Sequence, residues 1–304
     1  MSSHEQITVR VPATSANLGS GFDCLGVALD LWNEVTIDHH RFEVHVTGEG
    51  SHTIPKGADN LVVKGVAALF NAARKPLPPL RYVCRNDIPV ARGLGSSSAA
   101  LVAGIIGAAK LCGNDISSEL PFQLAAELEG HPDNVAAAMY GGCQLSLGAN
   151  GSWEHTTIPT PEGLNAVIFV PDQEANTSEA RSSLPSSVSR SDAVFNIGRA
   201  SLLVHAFESG KLDLLRRATE DRLHQPVRSR LFPAMGLLIK AALEAGALGA
   251  FLSGAGPSVM AITNEREVTV QYEMREAARL KGISGKVIVT SITGQGAHLV
   301  ASEP

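Results

Sequence analysis

The sequence predicts an α+β chain, and three observations carry that prediction. Strands of alternating polarity open the chain, the periodicity turns helical near residue 60, and the second half reads as helices over an antiparallel sheet. The 304 residues are enough for one large domain or two ordinary ones. With 44% hydrophobic and 18% charged residues, the chain can build a sizeable core and does not read as disordered.

"ITVRV" alternates apolar and polar positions and reads as a strand. "NEVTID" and "FEVHVT" alternate in the same way and are expected to pair as neighbours. In "DNLVVKGVAALFNAAR", Val62, Val66, Leu69 and Phe70 share one helical face, with Asp59 as the expected cap. "LRYVC" is a strand. "PVARGLGSSSAALVAGIIGAAKLCG" is a glycine loop leading into a long helix of small residues. Helices are expected at 118–129 and in "DNVAAAMYGG", and "CQLSL" returns to strand. The Gly-, Pro- and Thr-rich patch "GANGSWEHTTIPTPEG" is a hairpin or a linker. The domain boundary is placed beside it, giving units 1–158 and 159–304. Beyond it come strand "NAVIFV", helices at 192–208 and 233–245, strands "GAFLSG" and "SVMAIT", a helix at 267–281, and strands "KVIVTS" and "AHLVA".

The net charge is −5, with both signs scattered and no basic run. That argues against nucleic acid or an anionic membrane as the main partner. The four cysteines lie far apart with no Cys-x-x-Cys pair, a spacing that fits neither a zinc site nor a disulfide framework. They read as reduced thiols of a cytoplasmic protein. "MSSHEQITVRV" has no apolar core of a secretion signal, and the longest apolar stretch, 99–111, is too short to span a bilayer.

Three loops carry the chemistry. "VPATSANLGSGFDCLG" holds more glycine and polar residues than a turn needs, so its backbone is expected to approach a ligand closely. "GLGSSSAA" precedes a helix whose first N–H groups are unpaired and whose dipole favours an anion. Phosphate is the natural guest, with the Ser hydroxyls as donors or a metal ligand. A Ser-capped helix after a tight turn would use similar residues, but three consecutive serines and the preceding Arg92 exceed that need. The loop is neither a P-loop, since no Lys follows Gly95, nor a dinucleotide fingerprint, since Ser98 replaces the last Gly. "LSGAGPSVMAI" is the third loop, and by itself a tight hairpin would explain it.

In this order the three loops resemble the GHMP kinase family. "PVARGLGSSSAA" matches its phosphate loop and "LSGAGPSVMAI" its third motif. "PATSANLGSGFDCLGVAL", "EGHPDNVAAAMYGG", "TSEARSSLP" and "DRLHQPVRSRLFP" resemble the homoserine kinase branch, with Ala137 standing where that branch usually has Pro. The resemblance covers nearly the whole chain. It implies an N-terminal domain like the second domain of ribosomal protein S5, a ferredoxin-like C-terminal domain, and a site between them.

The implied activity is ATP-dependent phosphorylation of the L-homoserine hydroxyl, with Mg²⁺, in threonine biosynthesis. A homodimer is usual in the branch, though no sequence feature establishes one. The phosphate loop would comprise Arg92, Gly93, Leu94, Gly95, Ser96, Ser97 and Ser98. Glu129 would hold Mg²⁺ with Ser97 or Ser98. Asp23 offers an anion to the substrate ammonium, and Asn17 offers a donor and an acceptor. Arg181 and Arg228 are candidates for the carboxylate, because a guanidinium fork matches it in bidentate geometry. His131 and Asn134 would face the acceptor, with Thr177 near it. Asp133 is either a base or an orienter, and the orienter is favoured, because it sits where an N-cap would and phosphoryl transfer needs little base help. A GHMP kinase for another alcohol is the rival within the class, and Asp23 discriminates against an acceptor without an ammonium. A non-catalytic relative would be expected to lack Ser97, Ser98 or Glu129.

Overall fold

In the computed structural model, two sheets organise the chain, which is described for residues 6–113, 116–149, 151–175 and 177–300. Residues 1–5, at the start of "MSSHEQITVRV", lie outside the described residues. So do Asn150 of the glycine-rich patch and Ala301 of "AHLVA".

Strand β1 (Gln6–Ala16) is longer than its alternating part. Ile7, Val9 and Val11 point into the core, and from Val11 to Ala16 every residue is buried, including Thr14 and Ser15. Polar residues end a strand only when they face water, and these two face partners inside the molecule. The acceptor loop is therefore shorter than expected, because β2 (Leu25–His39) begins directly after it. β3 (Glu43–Gly48), helix α1 (Leu61–Ala72) and β4 (Leu80–Asn86) follow. β4 lies between β2 and β3, antiparallel to the first and parallel to the second. The expected β2–β3 pair is thus corrected: alternation tells which side chains face the core, not which edge meets which. The cap of α1 is Asn60, not Asp59. Its Oδ1 accepts from the Val62 N–H at 2.9 Å while its Nδ2 donates to the Pro55 carbonyl, and a carboxylate could not do both.

Helices α2 (Ser96–Cys112), α3 (Leu120–Glu129) and α4 (Asp133–Tyr140) come next, with α2 and α4 packed on β1 and β2. Alanines and glycines let α2 approach closely: a Cβ at Gly104 would collide with the Val62 carbonyl of α1. β5 (Cys143–Ala149) and β6 (Ser152–Ile158) form a hairpin, so the ambiguous patch is not a linker. β2 forks, pairing β5 through Leu25–Val27 and β4 through Asn33–His39.

The second sheet starts with β7 (Asn165–Pro171), followed by α5 (Thr177–Ser182), α6 (Arg190–Ser209), α7 (Leu215–Ala218), α8 (Gln225–Arg228) and α9 (Met235–Glu244). β8 (Gly249–Leu252), β9 (Val259–Thr263), α10 (Glu267–Leu280) and β10 (Gly285–Ser291) complete it. Its order is β10-β7-β9-β8, all antiparallel, with α9 and α10 packed over it. This is the ferredoxin-like split βαβ plan. The short helices α5, α7 and α8 are not legible as periods, because one turn shows none. β11 (His298–Val300), read from the sequence alongside the second sheet, pairs with β1 in the first. Among the described residues no helix is long and apolar enough to cross a membrane.

Candidate active site

The phosphate loop is built from backbone conformations that few residues adopt. Gly93 (φ 74°) and Gly95 (φ 68°) are left-handed, and α2 starts at Ser96 with no side-chain cap on its first N–H groups. A Cβ at Gly95 would collide with Thr14 Oγ1, and one at Gly93 with the Ser253 carbonyl. The buried side chain of Leu94 anchors the loop in the core, and its carbonyl accepts from the Thr14 N–H at 3.1 Å. Arg92 lines the cleft beside this loop, with its guanidinium already engaged by main chain. Its guanidinium donates to the carbonyls of Pro171 (2.7 Å), Asp172 (2.5 Å) and Val90 (3.1 Å), tying the loop to the end of β7.

Ser97 and Ser98 converge on one oxygen. Their hydroxyls donate to Glu129 Oε1 at 2.6 and 2.9 Å, from the first turn of α2 to the last residue of α3. Ser97 is exposed and Ser98 is buried. Hydroxyl and carboxylate oxygens beside a phosphate cradle are a donor set suited to Mg²⁺ completed by phosphate and water. A cleft of about 430 Å³ runs from this point. One part is apolar, lined by Val35, Val46, Ile54 and Val62, and another reaches Glu129, His131, Asn134 and Thr177.

The residues expected on the acceptor side form a set of paired side chains. In the loop after β1, Asn17 (φ 69°) and Asp23 (φ 57°) are left-handed, which their short polar side chains tolerate. Asn17 is buried: its Nδ2 donates to the Gly254 carbonyl at 2.9 Å and its Oδ1 accepts from the Asp23 N–H at 3.0 Å. Arg181 on α5 grips Asp23 with two bonds of 2.9 and 2.8 Å, which raises the guanidinium pKa further. Arg228 is different. It is only 2% exposed, and among the described residues no carboxylate lies within ion-pair distance of it. Burial, with Arg181 nearby, pulls its pKa down to about 10.

His131 Nδ1 donates to Asp133 Oδ1 at 2.8 Å, and the same oxygen accepts from the Asn134 N–H at 2.8 Å. Burial acts to lower the His131 pKa, but the Asp133 hydrogen bond and charge, with Glu129, outweigh it and the pKa is raised. Asp133 is the first residue of α4, after Pro132 in the capping position. Asn134 Oδ1 accepts from Thr14 Oγ1 at 2.8 Å. Thr177 is exposed at the start of α5. Cys24 adjoins the site, but burial and the charges of Asp133 and Asp23 raise its thiol pKa, so it is not a poised nucleophile.

The structure also brings in residues that sequence reasoning passed over. Ser253 donates to the Gly93 carbonyl at 2.6 Å and meets Ser15 Oγ at 2.7 Å, so the third loop touches both others. Phe22 lies beneath both arginines, its centroid 5.9 Å from the Arg181 guanidinium and 5.5 Å from that of Arg228. Asp221 and His224 stand in the same "DRLHQPVRSRLFP" segment as Arg228. That segment was the available signal, and its polar residues were the ones to weigh.

Left-handed glycines at an uncapped helix N-terminus, with two serines and a glutamate meeting beside them in one cleft, fit a small-molecule kinase. The GHMP kinases N terminal domain matches residues 60–142, and the GHMP kinases C terminal domain matches residues 203–280. The chain belongs to the GHMP kinase family, within its homoserine kinase branch. It is 40% identical to the homoserine kinase of Crocosphaera subtropica over 301 residues, covering 97% of this chain and 98% of that one. Against the homoserine kinase of Moorella thermoacetica the identity is 42% over 293 residues, 96% and 99% of the two chains. The crystal structure of homoserine kinase from Cytophaga hutchinsonii superposes with a TM-score of 0.87 at 31% identity, covering 99% of both chains.

Proposed function

We propose that this chain transfers the γ-phosphate of ATP to the hydroxyl of L-homoserine, giving O-phospho-L-homoserine for threonine biosynthesis. The observation that carries the acceptor is Arg228: a buried guanidinium without a carboxylate partner calls for one from the ligand. ATP is the co-substrate of this kinase family. Its base would occupy the apolar part of the cleft, and its phosphates the left-handed turns of residues 93–95 and the α2 N-terminus. Glu129 with Ser97 or Ser98 would hold Mg²⁺, which when bound supplies charge neutralisation at the phosphates.

Arg228 and Arg181 would receive the substrate carboxylate and Asp23 the ammonium. Arg181 and Asp23 then exchange part of their mutual pairing for the ligand, which carries both opposite charges. Thr177 would border the acceptor. His131 and Asn134 would face the hydroxyl, with Asp133 as the orienter of His131. Its buried carboxylate is already engaged by the His131 ring and the Asn134 N–H, which supports an orienter over a free base. Asn17 would shape the acceptor loop through Gly254 and Asp23, and Arg92 would hold the phosphate loop from outside. The reading includes a homodimer in the cytoplasm, following the family resemblance, and light scattering checks the dimer.

A coupled ADP-release assay over L-homoserine, D-homoserine, mevalonate, shikimate, galactose and L-threonine tests the reaction. L-Homoserine is expected to give by far the highest kcat/KM. A preference for mevalonate or a sugar refutes it.

A further inference from the structure

Arg228 is held by a buried network with His224 at its centre. The imidazole is fully buried, and its two nitrogens meet partners that can act in only one way. The Gly19 carbonyl, 2.8 Å from Nε2, can only accept. Arg228 Nη1, 3.1 Å from Nδ1, can only donate. The ring is therefore neutral, with its proton on Nε2. A proton on Nδ1 would point at the guanidinium.

The charged groups around the ring agree with this state. Asp221 Oδ2 lies 3.6 Å from Nε2, but that carboxylate already accepts from the N–H groups of Leu223 (2.8 Å), His224 (3.0 Å) and Gln225 (2.7 Å) and from Asn196 Nδ2 (2.7 Å). Asp23 is the more distant anion acting on the ring, and Arg228 is the adjacent cation. Phe22 stacks on the imidazole with centroids 5.3 Å apart. Burial first, and Arg228 in addition, lower the His224 pKa against the pull of Asp221.

The same ring links two parts of the acceptor site. Gly19 belongs to the loop that carries Asn17 and Asp23, and its φ of 79° and contact with the Thr219 carbonyl leave no room for a side chain. Arg228 Nη1 also donates to the Gly254 carbonyl at 3.0 Å, the carbonyl that Asn17 binds. We propose that His224 is a positioning residue of the acceptor site. As a neutral Nε2–H imidazole it sets Arg228 and the acceptor loop in one register, so that an amino-acid carboxylate meets a guanidinium already in place. The inference rests on Arg228 as the carboxylate's partner.

Two substitutions divide the two contacts. In His224→Asn the amide oxygen lies near the place of Nδ1 and can accept from Arg228, while the Gly19 bond is lost. In His224→Gln the amide reaches toward the place of Nε2 and can donate to Gly19, while the Arg228 bond is lost. The Gln variant is expected to raise KM for homoserine about tenfold, and the Asn variant about threefold, with kcat and the KM for ATP nearly constant in both. Equal KM values in the two variants, or losses in kcat and ATP binding of the same size, would overturn the proposal.

Nitrogen-15 NMR of the intact wild-type protein, with labelled histidine, decides the same point if the variants do not fold. One histidine is expected to stay neutral and Nε2-protonated between about pH 6 and about pH 8. An Nδ1–H tautomer, or titration near the ordinary histidine value of 6.5, would overturn it. Wild-type turnover of homoserine is measured separately, so a failure of the substrate assignment is distinguishable from a failure of the tautomer.

Discussion

The loop at residues 93–98 offers main chain, whereas the cluster of Asp23, Arg181 and Arg228 is made of charged side chains. The phosphate side has no alternative arrangement. Its glycines are left-handed, the atoms beside them leave no room for a Cβ, and the helix N–H groups are set by α2 itself. The charged cluster is satisfied differently: Asp23 and Arg181 neutralise each other, while Arg228 is buried with no ion-pair partner among the described residues. A backbone site is preorganised for any phosphate and confers little choice. On the proposed reading, a side-chain site that must exchange partners favours a ligand carrying both charges, and specificity arises there.

The largest effect is expected at the junction of the two sides. Glu129→Gln keeps the hydrogen bonds but removes the charge, and kcat is expected to fall about a hundredfold or more, with a higher Mg²⁺ concentration required. Steady-state rates against Mg²⁺ check this, and an unchanged Mg²⁺ dependence would remove Glu129 from the metal's surroundings. Arg228→Lys sharpens the acceptor half. The charge remains but the fork is lost, so kcat/KM for homoserine should drop about tenfold or more, while the KM for ATP hardly moves. Unchanged homoserine kinetics in a folded variant would put Arg228 outside the pocket.

Gly95→Ala addresses the backbone half, where φ is 68° and Thr14 Oγ1 occupies the Cβ position. It is expected to cost about 1–3 kcal/mol of stability and to weaken ATP binding, read by thermal melts with and without nucleotide. A melt equal to wild type would show that the loop yields easily. The smallest effect concerns pH. The His131 pKa is raised in the folded state, so its contribution to stability is complete below the ordinary value of 6.5 and is lost as pH rises through the folded value. The Tm advantage of wild type over His131→Asn should therefore shrink as pH rises above the ordinary value of 6.5. A constant difference would sever the link to Asp133.

The two halves were not equally legible. Three glycine loops and their serines state local conformation and local donors, so the glycine turn and the start of the helix after it were legible without the fold. Arg181 and Arg228 emerged only through the motifs around them, since a lone Arg in a sequence says nothing about what it faces. His224 went unnoticed in a segment that had been singled out for Arg228. Thr14 and Ser15 read as loop residues in the sequence, whereas in the fold they end β1, satisfied inside the protein by Asn134 and Ser253.

By itself the sequence determined the elements whose period or turn chemistry is local: the alternating strands, the amphipathic helix at Leu61–Ala72, the glycine-led entry to Ser96–Cys112, and the residue types of the cleft. Tertiary structure alone decided that β4 separates β2 from β3, that β11 returns to the first sheet, that Arg92 donates to main-chain carbonyls at the end of β7, and that Asp23 and Arg181 pair across 158 positions of chain. The physical reason is range. Dihedral preference and side-chain periodicity act within a few residues, but a hydrogen bond or a buried charge is satisfied by whatever the completed fold brings within about 3 Å, and that partner leaves no mark on the neighbouring sequence.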